Sequence, residues 1–551
     1  MPFRRQDRRE GSPAVLYTGL ELFNPFFCSW ESTSFSVVNG RIDSLGADSA
    51  PICVDLHGAR VVPGLIDAHV HIESSLLTPQ EYGRAVLSHG ITTVIADPHE
   101  IANVLGMEGI RYMLDQAEDT PLDIFFMLPS SVPASPQDLG GARIEAEDLR
   151  TLQDHPKVLG LGEVMDVPAV LSGDPVLQQK LSLMTLVDGH APLLRGYDLD
   201  RYIAAGIQSD HECTDAREAQ EKVQKGMYVM IREGSTERNL LDLIRSVTSC
   251  SISRWSFATD DLHADLLSQM GSIDDCIRKA VEGGLELELA LRMATLSPCD
   301  RFCLWDRGAI APGRIADFCI LDKGATFRVK KTFKRGREVT DLPYYTPSVR
   351  VHHFQAQLPD PRELRIEEQG TARVIGVQEG QILTDSLYRE VEGHLLPDLE
   401  RDLLKVVVCS RYRQGRYSVG LVHGMGLTGG AIASSVAHDS HNLVAVGVED
   451  AAILTALSEV SRTNGGLALA GEDTILSLPL VCAGLMSADS YPAVAGRLNT
   501  LEERAGALGA IPHPFMVLSF LTLTVIPSLR ITECGLYDVP AGRVVPLFVP
   551  L

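Results

Sequence analysis

VVPGLIDAHVH, residues 61–71, decides the fold. It is an apolar, β-branched run that turns polar only towards its end, where Asp67, His69 and His71 stand two residues apart. In a strand, residues two apart share a face. Both imidazoles of H-x-H can therefore reach one cation, with Asp67 on the same side. Polar chemistry placed where an apolar strand ends is what a parallel-sheet enzyme requires, because its active residues gather at the C-terminal edge of the sheet.

The same rhythm recurs downstream. ITTVIADPHE stops near Asp97 and LDIFFMLPS near Pro129, while VLGLGEVM delivers Glu163. LMTLVDGH delivers His190, IAAGIQSDHE delivers His211, MYVMIREGS ends near Glu233 and WSFATDD ends at Asp260. With the first, these make eight runs spaced by roughly 20 to 35 residues, about one strand-loop-helix unit each. Eight such units predict a (β/α)8 TIM-type barrel over residues 63–308. Before it, residues 1–62 hold a basic tail and short strands, with VVNGRIDSLG (37–46) predicted as a hairpin about Asn39-Gly40. A similar strand-rich texture returns in GAIAPGRIADFCILD (308–322), so residues 309–347 are expected to complete a small β domain built from both flanks. Residues 348–551 mix strands, Gly-rich turns and one good helix (PAVAGRLNTLEERAGALGA), which predicts a separate C-terminal α+β domain.

Bulk properties narrow the function. Of 551 residues 45% are hydrophobic and 22% charged, the profile of a globular enzyme. A formal charge of −23 argues against nucleic-acid or anionic-membrane partners. No apolar run approaches the ~18 residues that span a bilayer. MPFRRQDRREGS lacks the apolar stretch of a secretory signal and is expected to be a disordered tail. The eleven cysteines show no paired spacing, which fits a reducing compartment, so a cytoplasmic location is expected. Cys299 and Cys303 are spaced C-x3-C with no H-x-E upstream, unlike the thiolate zinc site of cytidine deaminases.

His69, His71, Glu163, His190, His211 and Asp260 are the candidate metal ligands. Four imidazoles and two carboxylates at one mouth are too costly to bury uncompensated, and two divalent cations are their natural partners. Imidazole and carboxylate without thiolate favour zinc, iron(II) or manganese. Such metals bring a bound water to a pKa of about 7, with Asp260 placed to accept its proton. Glu212 or Glu233 is expected to protonate the substrate. Asp97, His99 and Glu100 in ADPHE either contact substrate, bind an extra metal or cap the following helix. In the last domain, His438, Asp439 and His441 of SSVAHDSHN are expected to fold back over the strand ends, with His438 or Asp439 touching substrate. Gly424, Gly426 and Gly429 spell G-x-G-x-x-G, with Glu449 further on. The segment after them is too short and polar for the helix of a dinucleotide fold. No G-K-[ST] is present, which excludes a P-loop.

These stretches resemble the bacterial adenine deaminase family of the amidohydrolase superfamily. The likeness is carried by HVHIESSLLTPQEY, ITTVIADPHEIANVLG, GEVMDVPAVL, VDGHAP, AAGIQSDHECT, GMYVMIREGS, ATDDLHADLL, MATLSP and GAIAPGRIADF. Past the barrel it continues in HGMGLTGGAIASSVAHDSHN and GAIPHPFMVLSFL. Asp166, Ala169 and Leu193-Leu194-Arg195 depart from the family pattern. The resemblance implies that His69, His71, His190, His211 and Asp260 hold metal, and that Glu163 takes the bridging place filled elsewhere by a carbamylated lysine. It implies a binuclear centre active with manganese or iron, and hydroxide attack at C6 of adenine to give hypoxanthine and ammonia. A homo-oligomer is expected. The alternatives are a guanine deaminase-like or dihydroorotase-like hydrolase, or a non-catalytic scaffold relative; such scaffolds usually lose ligands that are all present here.

Overall fold

The eight apolar runs form eight parallel strands in the computed structural model, which describes residues 13–135, 138–324, 326–340, 342, 347–392 and 396–549. The basic tail MPFRRQDRREGS lies outside the described residues. Leu65–Val70, Ile91–Ala96, Asp123–Leu128, Val158–Val164 and Val187–Gly189 pair in that order as one sheet. Ser209–Asp210, Tyr228–Arg232 and Trp255–Ala258 pair as a second. The sequence predicts one continuous closed sheet; the described strands form two, of five and three. The break falls where strands are shortest, because the Asp210 side chain takes over the Ala191 N–H (2.8 Å) that a ladder would use. Backbone hydrogen bonds still cross both gaps. Gln208 N–H donates to Val187 O (3.1 Å), and on the far side Asp260 N–H donates to His69 O (3.1 Å).

A seven-stranded sheet flanks these strands and draws on both ends of the segment. Val15–Asn24, Ser29–Val38, Arg41–Leu45 and Ile52–Pro63 come from before it, and Phe318–Leu321, Val329–Lys334 and Arg337–Glu338 from after it. Asn39 and Gly40 both take left-handed φ values (49° and 76°), the turn that suits the twist of a two-residue hairpin. Beyond residue 347, an eight-stranded sheet carries the helix Asp450–Arg462. The helix Tyr491–Ala507 packs on Ala264–Met270, docking this unit against the parallel strands. Ser487 N–H donates to Leu76 O (2.8 Å) and Tyr491 N–H to Glu81 Oε2 (2.7 Å) across the same junction. The Gly-rich loop of this unit spends its amides internally. Gly424 and Gly426 donate to Asp402 (2.8 and 3.0 Å) and Gly430 to Glu449 (2.9 Å), and the chain proceeds into the strand Ala431–Ser434. Two of the three motif glycines thus have their amides occupied by Asp402. Among the described residues, no helix is long and apolar enough to cross a membrane.

One buried cation ties the strand ends together. Lys222 is fully buried and donates to Ala191 O (2.8 Å), Asp210 Oδ2 (3.0 Å) and Glu218 Oε1 (2.6 Å). Asp210 also accepts from Glu212 N–H (3.1 Å). The loops carrying His190 and His211 therefore share one anchor. Lys222→Met strands two buried carboxylates, a change that costs about 3–5 kcal/mol. We expect the melting temperature to fall by at least about 5 °C; a melting curve that overlays the wild type contradicts this role.

Candidate metal centre

Glu163 lies at the centre of the site because the strand beneath it is pinned twice. Its own N–H donates to Asp97 Oδ2 (3.0 Å), and its carbonyl accepts from Ser130 Oγ. Gly162 is required for the first bond, since a Cβ there would lie 1.9 Å from Asp97 Oδ2. The Glu163 carboxylate then divides its two oxygens. Oε1 is 3.0 Å from His69 Nε2 and 2.9 Å from His71 Nε2; the Asp260 Oδ1 oxygen is 3.3 and 3.1 Å from the same two nitrogens. Oε2 is 2.9 Å from His190 Nδ1 and 3.8 Å from His211 Nε2. Two nests of donor atoms thus share one carboxylate, and all six side chains are buried.

The contacts are close but poorly aligned as hydrogen bonds. Glu163 Oε1, both ring nitrogens of His190 and His211 Nε2 have no hydrogen-bond partner although they are buried. The Nε2 atoms of His69 and His71 lie only 3.2 Å apart, both turned towards the two carboxylates. Buried polar atoms left in this state are costly unless something between them completes the set. Burial pulls the His69 imidazole down, yet Glu163 beside it drives it up to about 10. Asp260 is held well below the usual carboxylate range, against burial, by hydrogen bonds from His69 and His71 and by the Arg232 guanidinium. The carboxylates demand positive charge, and a divalent cation with imidazole and carboxylate donors meets that demand. His71 is oriented for it by a 3.0 Å contact from Nδ1 to Asp97 O, the kind of outer contact that fixes a ligating ring. His211 stacks on His69 with ring centroids 4.0 Å apart.

The other sequence candidates divide. Glu212 lies inside, 3.7 Å from His190 Nδ1 and bound to Arg232; burial pushes its carboxyl up against the pull of that guanidinium. Glu233 does not join the cluster. Its Oε1 accepts from Lys279 Nζ (2.7 Å), because Arg232 and Glu233 are adjacent in the chain and project to opposite sides. Asp97 is a brace, accepting from His99 N–H (3.1 Å) as well as Glu163 N–H. Asp67 is another, receiving Thr259 Oγ1 at 2.5 Å and so joining the first strand to the last. His99, His438 and Asp439 do meet at the mouth, with His99 Nε2 3.7 Å from Asp439 Oδ1. They line a cavity of about 20 Å³ with Glu100, Met165, Asp261 and Phe520. Across Met165 lies a second cavity of about 590 Å³. Sequence reasoning missed Arg232, whose Nη1 is 2.9 Å from Asp260 Oδ2; the signal was an arginine closing the apolar run MYVMI.

Comparison with known proteins follows this geometry. Residues 60–339 match the family model described as "Amidohydrolase family". Residues 381–543 match the one described as "Adenine deaminase C-terminal domain". The adenine deaminase of Methanoculleus marisnigri is 59% identical over 514 residues, 93% of this chain and 99% of that protein. That of Methanoregula boonei is 54% identical over 531 residues, covering 96% and 95%. That of Lactiplantibacillus plantarum is 43% identical over 553 residues, covering 97% and 98%.

Ligand binding to the native state raises its melting temperature by mass action. Manganese added to chelator-stripped protein should therefore raise the melting temperature of the wild type, and should raise that of Glu163→Gln far less. Equal shifts in the two proteins place the cation elsewhere.

Proposed function

The chain belongs to the adenine deaminase family of metal-dependent amidohydrolases, and we propose from that premise that it hydrolyses adenine to hypoxanthine and ammonia at the cluster around Glu163. The observation that carries this reading is the division of the Glu163 carboxylate between two nests of donors. We assign His69, His71 and Asp260 to one divalent cation and His190 and His211 to a second, with Glu163 between them. Manganese is the preferred metal, with iron(II) or zinc as substitutes. Bound there, the cations supply Lewis acidity and bring the acidity of a water close to neutrality.

The chain's own groups do the rest. Asp260 takes the proton of the attacking water, while Arg232 keeps its second oxygen fixed at 2.9 Å. Glu212, inside the cluster beside His190, is assigned the transfer of a proton to the purine ring nitrogen beside C6. Glu233 has no part, since its carboxylate belongs to Lys279. His99 and Asp439 hold the purine edge, and Asp97 acts through the backbone of His99 and Glu163. Met165 lines both the cavity at the cluster and the larger one beside it, and we read the larger one as the path of access. We further read the eight strands as a (β/α)8 barrel over residues 63–308, with 1–62 and 309–347 as the flanking β domain and 348–551 as the C-terminal domain. A homo-oligomer in the cytoplasm completes the reading.

Manganese-loaded protein should release ammonia from adenine and not from adenosine; comparable release from both overturns the free-base assignment. Elemental analysis should find two metals per chain. Asp260→Asn should retain its fold and lose on the order of 10²–10⁴-fold in kcat, the span of a general base; a loss of only a few-fold means that another group takes the proton.

A further inference from the structure

The Glu100 carboxylate joins two parts of the chain far apart in sequence. It begins the helix His99–Leu105, yet its oxygens are taken by two histidines of the C-terminal domain. Oε1 is 2.5 Å from His438 Nδ1, and Oε2 bonds His441 Nε2. His99 Nε2 stands 3.2 Å from Oε1 as well. All four side chains are at least nine-tenths buried.

The backbone settles which histidine can do chemistry. Ala437 N–H donates to His441 Nδ1 (3.3 Å), so that nitrogen carries a lone pair and Nε2 carries the hydrogen. His441 is therefore a fixed donor to Glu100. A cation on its Nε2 would need a hydrogen on Nδ1, pointing into the Ala437 N–H, so this cluster is not a further metal site. His438 is arranged the other way. Its Nδ1 gives its hydrogen to Glu100 and its Nε2 is a buried ring nitrogen with no hydrogen-bond partner, on a residue that lines the cavity with His71, Glu212 and Asp260. Phe520 stacks on the ring, centroids 4.9 Å apart and planes 20° apart, which stops the imidazole from turning. A carboxylate that fixes one ring nitrogen so that the other faces substrate is the arrangement of an acid-base histidine.

We propose that His438, oriented by Glu100, is the acid that delivers a proton to the departing amino group. The proposal rests on the deaminase reading and adds a catalytic residue from the C-terminal domain. The protons balance as follows. Glu212 protonates the ring nitrogen, the water oxygen bonds to C6, and one water proton passes to Asp260. The C6–N bond then breaks with its electron pair going to nitrogen, which takes a proton from His438 Nε2 and leaves as ammonia. The proton left on oxygen returns to Glu212 as the carbonyl forms, and the one on Asp260 returns to His438 through solvent. Glu100 touches no reacting atom and is a positioning residue.

The test compares leaving groups, because chloride departs without a proton. His438→Asn and Glu100→Gln are assayed on adenine by ammonia release and on 6-chloropurine by chloride release, with metal content and melting temperature measured alongside. On adenine, His438→Asn should lose on the order of 10²–10³-fold in kcat, and Glu100→Gln at least about ten-fold, both with KM within a few-fold of wild type. On 6-chloropurine both should stay within about five-fold. Equal losses on the two substrates, or a loss on adenine below about five-fold, overturn the proposal; if the wild type does not turn over 6-chloropurine, the adenine arm decides alone. Glu100→Gln is nearly isosteric and decides the matter if His438→Asn does not fold. A wild type that releases no ammonia from adenine refutes the deaminase reading instead, before any variant is compared.

Discussion

Burying negative charge away from water sets the terms for this protein. Glu163 and Asp260 lie a few ångströms apart with almost no exposure, and neither can exist there as an ion without compensation. Imidazoles surround them, but both ring nitrogens of His190 and Nε2 of His211 have no hydrogen-bond partner. The arrangement is stable only when positive charge sits between the groups. Everything around it holds the donors apart at the spacing that charge requires.

The supports are mostly carboxylates and hydroxyls turned on the backbone. Asp67 fastens the first strand to the last through Thr259, and Asp97 fixes the amides of His99 and Glu163. Tyr202 accepts from His190 N–H (3.1 Å) and donates to Val164 O (2.5 Å), joining two neighbouring strand ends. Asp210 and Lys222 do the same for the next pair. Because each brace spans two strands, a displaced ligand would break bonds on both sides of it. That is how a centre built from five separate strand ends keeps one geometry.

Much of this was legible in the sequence because strand ends in a parallel sheet obey a simple rule. Apolar runs of regular spacing, all but one stopping on His, Glu or Asp, located all eight strands, and the structure brings His69, His71, Glu163, His190, His211 and Asp260 to one place. What could not be read was direction beyond the strand end. Asp67 and Asp97 look like ligands by position, yet their oxygens are taken by neighbouring hydroxyl and amide groups. Arg232, and not the Glu233 expected there, enters the site through strand alternation, which a shift of one residue reverses. The G-x-G-x-x-G pattern shows the same limit. Its glycines serve a turn closed by Asp402 and Glu449, and only the three-dimensional partners distinguish that from a phosphate cradle.

The junction at Glu100 has a consequence in time. Every group of the metal cluster leaves the ribosome before the segment 438–442 that covers it. A cation therefore has unhindered access to the nascent chain for as long as the last domain is unfinished. Once that domain docks, His438 and Asp439 close the mouth to a cavity of about 20 Å³. What remains beside the cluster after docking is that cavity and the larger one across Met165, so a cation would meet the donors most openly while the last domain is still being made.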